Sequence, residues 1–149
     1  MSIETDAGAL WWFLSQRAGR VEHLSPSECR RLLTANVVGR LGYSTTNGPR
    51  IVPMNYAVAG SRLVFRTTPD TEAGRCANRQ QVAFEVDQID ESRHAGWSVL
   101  VTGEASQITL RQLELLNIVQ TPDPWAEGER ALFLQVPLTT ITGRRVLAS

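Results

Sequence analysis

Hydrophobic and polar residues alternate along most of the chain from residue 37 to residue 146, with the period of two that is typical of β-strands. In the segment VAFEVD, the apolar residues Val82, Phe84 and Val86 occupy every second position and share one face. This pattern predicts strands over residues 37–44, 50–58, 62–68, 81–87, 97–109, 132–136 and 140–146. Consecutive strands with few helices favour a mainly β fold, a β-barrel with flanking helices, over an alternating βα fold.

Three segments carry helical signals. Ser25 is a predicted N-cap, Pro26 occupies the first helical position and Glu28 completes a capping box, so a helix is expected to end near residues 35–36. Shorter helices are predicted over residues 71–78 and 110–119. Asn47-Gly48 is a tight-turn signal and predicts a hairpin between the first two strands.

Residues 1–22 stand apart from the strand pattern and form a predicted N-terminal extension. Its centre contains Trp11, Trp12 and Phe13, which would form a costly apolar patch if they were exposed. We expect a short helix that packs on the core or on a partner subunit; direct contact with a cofactor is the alternative. Residues 23–149 form one predicted domain.

Composition limits the function classes. The chain has 149 residues, with 15 basic and 15 acidic side chains, so a concentrated basic surface for nucleic acid is not expected. No apolar stretch approaches the roughly 20 residues of a membrane span. Cys29 and Cys76 form no CxxC spacing, and two free thiols in a reduced cytoplasm are the expected state. The protein is therefore expected to be cytoplasmic and independent of membranes.

The sequence has no arrangement of residues that is typical of catalysis by side chains. His23 and His94 have no nucleophile or acidic partner at motif spacing, and no metal-ligand cluster or phosphate-binding glycine motif occurs. An enzyme without such catalytic side chains relies on a cofactor for its chemistry. All 15 basic residues are arginines, so any anion site must use Arg, hydroxyl and backbone N–H groups.

Five motifs together resemble one protein family. They are VGRLGY at 38–43, PRIVPMNY at 49–56, LVFRTTPDT at 63–71, FEVDQ through GWSVLVTG at 84–103, and ITGRRV at 141–146. Their order and spacing resemble the flavin-binding split β-barrel family related to pyridoxamine 5′-phosphate oxidase. The resemblance implies a homodimer that holds FMN at the subunit interface and acts on a small-molecule substrate.

The resemblance assigns the flavin ring to the segment RIVPMN. Arg50, Pro53, Met54 and Asn55 are the implied contacts, and Asn55 is expected to hydrogen-bond the pyrimidine edge of the ring. Pro53 has no N–H, which leaves a neighbouring backbone group for the ring atoms. The alternative is that Pro53 marks an edge strand and that Asn55 faces water.

The resemblance assigns the flavin phosphate to Arg66, Thr67 and Thr71, whose guanidinium and hydroxyl groups suit a phosphate. After the position of Thr71, relatives commonly place a Lys that contacts the phosphate, whereas this chain has Glu72. A carboxylate there repels a phosphate. Arg75, one helical turn later, is the expected substitute cation.

The opposite subunit is expected to contribute Trp97 and Ser98, which begin the motif GWSV. Trp97 serves equally well as a core or interface aromatic. The function implied by the family is a flavin-dependent oxidoreductase that uses FMN or a deazaflavin. The alternative is a non-catalytic binding module of the same fold that has lost FMN or binds another planar ligand, such as a haem-like molecule.

Overall fold

The computed structural model describes residues 19–115 and 132–148 of the chain. Most of these residues lie in β-strands, with three short helices between them. The strands are β1 (Arg20–His23), β2 (Val38–Thr45), β3 (Gly48–Ala59), β4 (Arg62–Thr67), β5 (Gln81–Asp90), β6 (Ala95–Glu104), β7 (Ser106–Gln107), β8 (Leu132–Pro137) and β9 (Ile141–Leu147). The helices are α1 (Pro26–Thr34), α2 (Glu72–Ala77) and α3 (Leu110–Leu115).

The strands form one antiparallel sheet in the order β1-β9-β6-β5-β2-β3-β4-β8-β7. Strand β3 belongs to both halves of the sheet, because residues 48–55 pair with β2 and residues 56–59 pair with β4. Strand β7 follows β6 after a break at Ala105 and pairs with β8. The continuous course of β6 and β7 therefore brings the two halves together and curls the sheet into a barrel.

The barrel interior is filled by aromatic and branched side chains on the inward face of the strands. Phe84 is fully buried at its centre, with ring centroids 5.2 Å from Tyr56 and 5.9 Å from Phe65. The Tyr56 hydroxyl donates a hydrogen bond to the Leu33 carbonyl oxygen at 2.6 Å. Burial raises the pKa of Tyr56, so the phenol stays protonated and ties α1 to the barrel.

Helix α1 covers one end of the barrel. It begins as predicted, because the Ser25 hydroxyl accepts from the Glu28 N–H at 3.3 Å, and its buried residues include Cys29 and Leu33. The helix approaches β9 so closely that a Cβ atom at Gly143 would lie 2.6 Å from the Cys29 sulfur. Both cysteines are free, as predicted.

The predicted fold class, a mainly β barrel with flanking helices, is confirmed, and three local predictions differ from the structure. Strand β1 lies where no strand was predicted. The predicted strand over 97–109 starts at Ala95 and breaks at Ala105. The first hairpin turns at Thr46-Asn47, one residue early, and Gly48 opens β3 with a φ of 110°.

Two further predictions fall outside the described residues: the helix in the N-terminal extension with Trp11, Trp12 and Phe13, and the last residues, 116–119, of the helix predicted over 110–119. Within the described ranges, no helix is long and apolar enough to cross a membrane.

Gly39 is a point of close approach between β2 and β5, and it generates a stability prediction. A Cβ atom there would lie 2.7 Å from the Glu85 carbonyl oxygen and 2.9 Å from Val86 Cγ2. Gly39→Ala should therefore lower the free energy of unfolding by about 1–3 kcal/mol, measured by denaturant titration. Gly42→Ala on the same strand is the control, because its Cβ would meet Ala83 Cβ at 3.6 Å, an ordinary contact. Equal stability of the two variants would contradict the packing described here.

Candidate functional site

A cluster of hydroxyl groups lies where β4 runs into α2. The Thr71 side chain caps α2 by accepting from the Gly74 N–H at 3.0 Å, and its hydroxyl donates to the Thr68 carbonyl oxygen at 2.8 Å. The Thr67 hydroxyl lies 2.9 Å from the Thr71 hydroxyl. We refer to Thr67, Thr71 and Gly74 as the hydroxyl cradle. The Thr71 proton is donated to the Thr68 carbonyl, so the Thr67 hydroxyl donates to Thr71, and an anion is bound here only when the two hydroxyls turn their protons towards it.

Gly74 allows this loop to pack against the helix. A Cβ atom at Gly74 would overlap the Thr68 carbonyl oxygen and would lie 3.1 Å from the Thr71 hydroxyl. Any larger residue would therefore push the loop away from α2. The close fit fixes the position of the loop that carries Thr68 and Thr71 relative to α2.

Glu72, the first residue of α2, forms a three-residue cluster with the β2–β3 hairpin. The Tyr43 hydroxyl donates to Glu72 Oε1 at 2.9 Å, and Arg50 Nε lies 3.5 Å from the same oxygen. Burial, followed by the hydrogen bond to Glu72, raises the pKa of the Tyr43 phenol, which stays a donor. The Glu72 carboxylate thus has two partners in the barrel, Tyr43 and Arg50.

Of the two arginines that were predicted to bind the phosphate, Arg66 is directed away from the cradle and Arg75 lies over the loop that precedes α2. The Arg66 guanidinium lies over the Phe133 ring, 5.7 Å from its centroid. Since Arg66 and Thr67 are consecutive on β4, their side chains start on opposite faces. The Arg75 guanidinium donates a hydrogen bond to the Asp70 carbonyl oxygen, and this contact closes it over the loop that precedes α2.

The predicted ring-binding segment lies in the half of β3 that pairs with β2 alone, so its other edge has no strand partner among the described residues. Pro53 is exposed on this segment. Met54 is half-buried and packs against the main core, and Arg50 is directed towards Glu72. Asn55 is half-buried next to the point where β3 passes from one half-sheet to the other.

Trp97 and Ser98 lie at a second location, a cleft of about 620 Å³ beside the β5–β6 turn. Ser98 lines it together with Asp87 and Arg144, its neighbours in register on β5 and β9. Trp97 lines the cleft and also packs against the main core, as the alternative interpretation of this residue expected.

The two groups of predicted site residues are well separated within one chain. Strands β5 and β2 lie between β6 and β3, which corresponds to roughly 14 Å across the sheet. The β2–β3 and β5–β6 turns also lie at opposite ends of the sheet, because β2 and β5 are antiparallel. A single protomer does not bring the cradle and Trp97 together.

Two residues that contribute to this site, Tyr43 and Gly74, were not predicted from the sequence. A turn at Asn47-Gly48 would place Tyr43 opposite Val52, whereas the turn at Thr46-Asn47 places it opposite Arg50. The sequence feature that could have identified Gly74 is its position three residues after Thr71, which is the N-cap of α2. Within the described parts of the chain, no three His, Cys, Asp or Glu side chains are grouped so that they could hold a metal ion.

Comparison with known proteins gives consistent matches over most of the chain. The family model for pyridoxamine 5′-phosphate oxidase matches residues 25–145. The solved structure of an FAD-binding protein from Mycobacterium smegmatis is 31% identical, covering 85% of this chain and 98% of that chain, with a TM-score of 0.65. An FAD-binding protein from Mesorhizobium loti is 27% identical, covering 85% and 97%, with a TM-score of 0.69. An uncharacterized protein from Mycobacterium tuberculosis is 28% identical over 89% of this chain and 90% of its own length.

The capping role of Thr71 generates a prediction that needs no ligand. Thr71→Ala removes the acceptor for the Gly74 N–H and the partner of the Thr67 hydroxyl, and it should lower the free energy of unfolding by about 1 kcal/mol. Thr71→Ser keeps the hydroxyl and should retain most of the stability. The comparison is made by denaturant unfolding, and a Ser variant as unstable as the Ala variant would refute the hydroxyl's role.

Proposed function

Because the chain belongs to the pyridoxamine 5′-phosphate oxidase family, we propose that it is a homodimeric flavin-nucleotide-binding protein that acts as a small oxidoreductase. The observation that carries this proposal is the hydroxyl cradle, in which Thr67 and Thr71 lie 2.9 Å apart beside the closely packed Gly74. The free thiols of Cys29 and Cys76 fit a reducing cytoplasm.

The donor set suits the phosphate of a flavin nucleotide. Thr67 and Thr71 supply hydroxyls, and the exposed guanidinium of Arg75 lies one helical turn from Thr71. Arg66 begins on the other face of β4, and its long side chain reaches the cradle only by leaving Phe133. FMN, FAD and a deazaflavin nucleotide all carry a phosphate at this end. Two relatives are FAD-binding proteins.

The ring of the flavin is assigned to β3. The unpaired edge of the segment that contains Pro53 offers backbone groups to the ring, and Asn55 offers a side-chain amide. A bound flavin supplies the chemistry, which is electron or hydride transfer with a small-molecule substrate. The chain's own residues bind and orient the cofactor, and backbone N–H groups near the ring stabilise negative charge on it.

An exposed apolar surface supports the homodimer. Val21, Ile51, Ile89 and Leu100 are 41–74% exposed, and their registers place them on the outward face of the sheet that runs from β1 to β3. Arg40, Glu85 and Asp87 form ion pairs on the same face, so a partner would cover these charged groups together with the four apolar side chains. A second copy on this face would also supply the cleft of Trp97 and Ser98, which one chain holds far from its own cradle.

A non-catalytic binding module of the same fold is the second candidate. The observation that favours it is the state of the cradle's cations: Arg50 is paired with Glu72, and Arg75 donates to the Asp70 carbonyl. A cradle with few free cations holds a phosphate more weakly. Such a module would bind another planar ligand.

Titration of the protein with FMN, FAD and riboflavin, followed by flavin fluorescence, tests the proposed function. We expect both nucleotides to bind at micromolar or lower concentration. Arg75→Gln should weaken both by about 10- to 100-fold, because a charge-assisted hydrogen bond to phosphate contributes about 1.5–3 kcal/mol. Riboflavin, which has no phosphate, should respond little.

Arg30→Gln on the exposed side of α1 is the matched control for this titration and should change no affinity. Failure of both nucleotides to bind at micromolar levels would exclude the flavin function and leave the binding module with another ligand.

Light scattering of the purified protein tests the dimer. The wild type should have twice the mass of one chain at micromolar concentration. Leu100→Asp places on the outward sheet face a negative charge whose neighbour in register is Glu85, and it should give monomers, because a buried unpaired charge is costly. Leu115→Asp, at an exposed position on α3, should remain dimeric. A monomeric wild type would rule out the shared site.

A further inference from the structure

An apolar row crosses the outward face of the sheet beside the β5–β6 turn. It consists of Val21 on β1, Val146 on β9, Gly96 on β6 and Ile89 on β5, which are neighbours in register. Val21 is 57% exposed and Ile89 is 68% exposed. Because Gly96 has no side chain, the row has a notch between Val146 and Ile89, and these three residues line the cleft of about 620 Å³. We refer to the four residues as the apolar row.

Polar residues border the apolar row on the side of the sheet centre. The next residues in register along the same four strands are His23, Arg144, Ser98 and Asp87. A second copy that covered the row with a broad surface would have to bury these polar side chains too, which costs free energy unless each is paired. The apolar row alone therefore suits a short apolar segment.

The chain enters the sheet next to the apolar row. Gly19 precedes β1, and a Cβ atom there would lie 2.9 Å from Val146 Cγ1. Residues 10–14, which lie outside the described residues, have the sequence LWWFL and carry no charge. The row crosses four strands and spans roughly 14 Å. Residue 14 is five positions before Gly19, and five residues reach up to about 17 Å, so this run is long enough to lie along the row.

We propose that residues 10–14 of the same chain cover the apolar row and place an aromatic side chain in the notch at Gly96. The family model begins at residue 25, so both β1, which supplies Val21, and the residues before it are additions to the matched region. The polar residues Ser98 and Asp87 stay open in the cleft. The second copy of the proposed dimer then contacts this face at Ile51 and Leu100, and it contacts residues 10–14 in place of Val21 and Ile89.

Limited cleavage of the full-length protein by chymotrypsin, followed by mass spectrometry, tests this inference. Chymotrypsin cuts after Trp, Phe and Leu, so cleavage within residues 10–14 reports directly on whether the run is covered. The wild type should be cut slowly there. Ile89→Ser should be cut about tenfold faster, because the run loses the burial of a large aliphatic side chain and is released more often. Ile89→Val keeps an apolar wall and should be cut nearly as slowly as the wild type.

Ile51→Ser is the matched control, since Ile51 is 74% exposed on the same outward face at the other end of the sheet. It should be cut at the wild-type rate. A wild type that is cut as fast as Ile89→Ser would overturn the inference. Equal acceleration in Ile51→Ser and Ile89→Ser would also overturn it, because the cover would then belong to the whole face.

Leu100→Asp distinguishes the same chain from a second copy. In a monomer of this variant, cleavage within residues 10–14 should stay slow, because the contact lies within one chain. Fast cleavage in that monomer would assign the cover to the partner and refute the proposal. None of these measurements needs a bound flavin, so failure of the proposed function would leave the inference standing.

Discussion

The register of the β2–β3 hairpin governs the arrangement of the candidate site. A turn at Thr46-Asn47 places Arg50 opposite Tyr43 on the inward face, and both then reach the carboxylate of Glu72. A turn one residue later would move the pairing by two residues and would place Val52, instead of Arg50, opposite Tyr43. The same strand continues into the second half-sheet. Its register therefore also sets the position of β4 and of Thr67 at the end of β4.

The charge arrangement at the cradle differs from the one that the family resemblance implies. The resemblance implies a cation where Glu72 stands, whereas in this chain the cation is Arg50 on β3, which is paired with Glu72. Recognition of an anion must therefore rely on Thr67, Thr71 and backbone groups more than on net charge. Such a site recognises an anion through the geometry of its donors.

Sequence reasoning predicted the barrel because alternation of apolar residues and turn chemistry are local signals. It predicted a strand that contains Thr67 and a helix that begins at Thr71, and in the structure β4 ends at Thr67 and Thr71 is the N-cap of α2. It missed the contacts of Glu72 with Tyr43 and Arg50. These contacts depend on the register of the β2–β3 hairpin, and the turn was predicted one residue too late. It also missed β1, since four residues that pair only with β9 carry too short a pattern to detect. Strand alternation places Arg66 on the opposite face of β4 from Thr67, but its contact with the Phe133 ring joins residues far apart in the sequence and was not predicted.

The central claim is that the loop from Thr67 to the first turn of α2 holds the phosphate of a flavin nucleotide. Hydrogen exchange of the peptides that span residues 67–77 tests it most directly, with saturating FMN, FAD or riboflavin. Both nucleotides should slow exchange of these peptides, and riboflavin should not. Bound nucleotide without any protection of this segment would contradict the account.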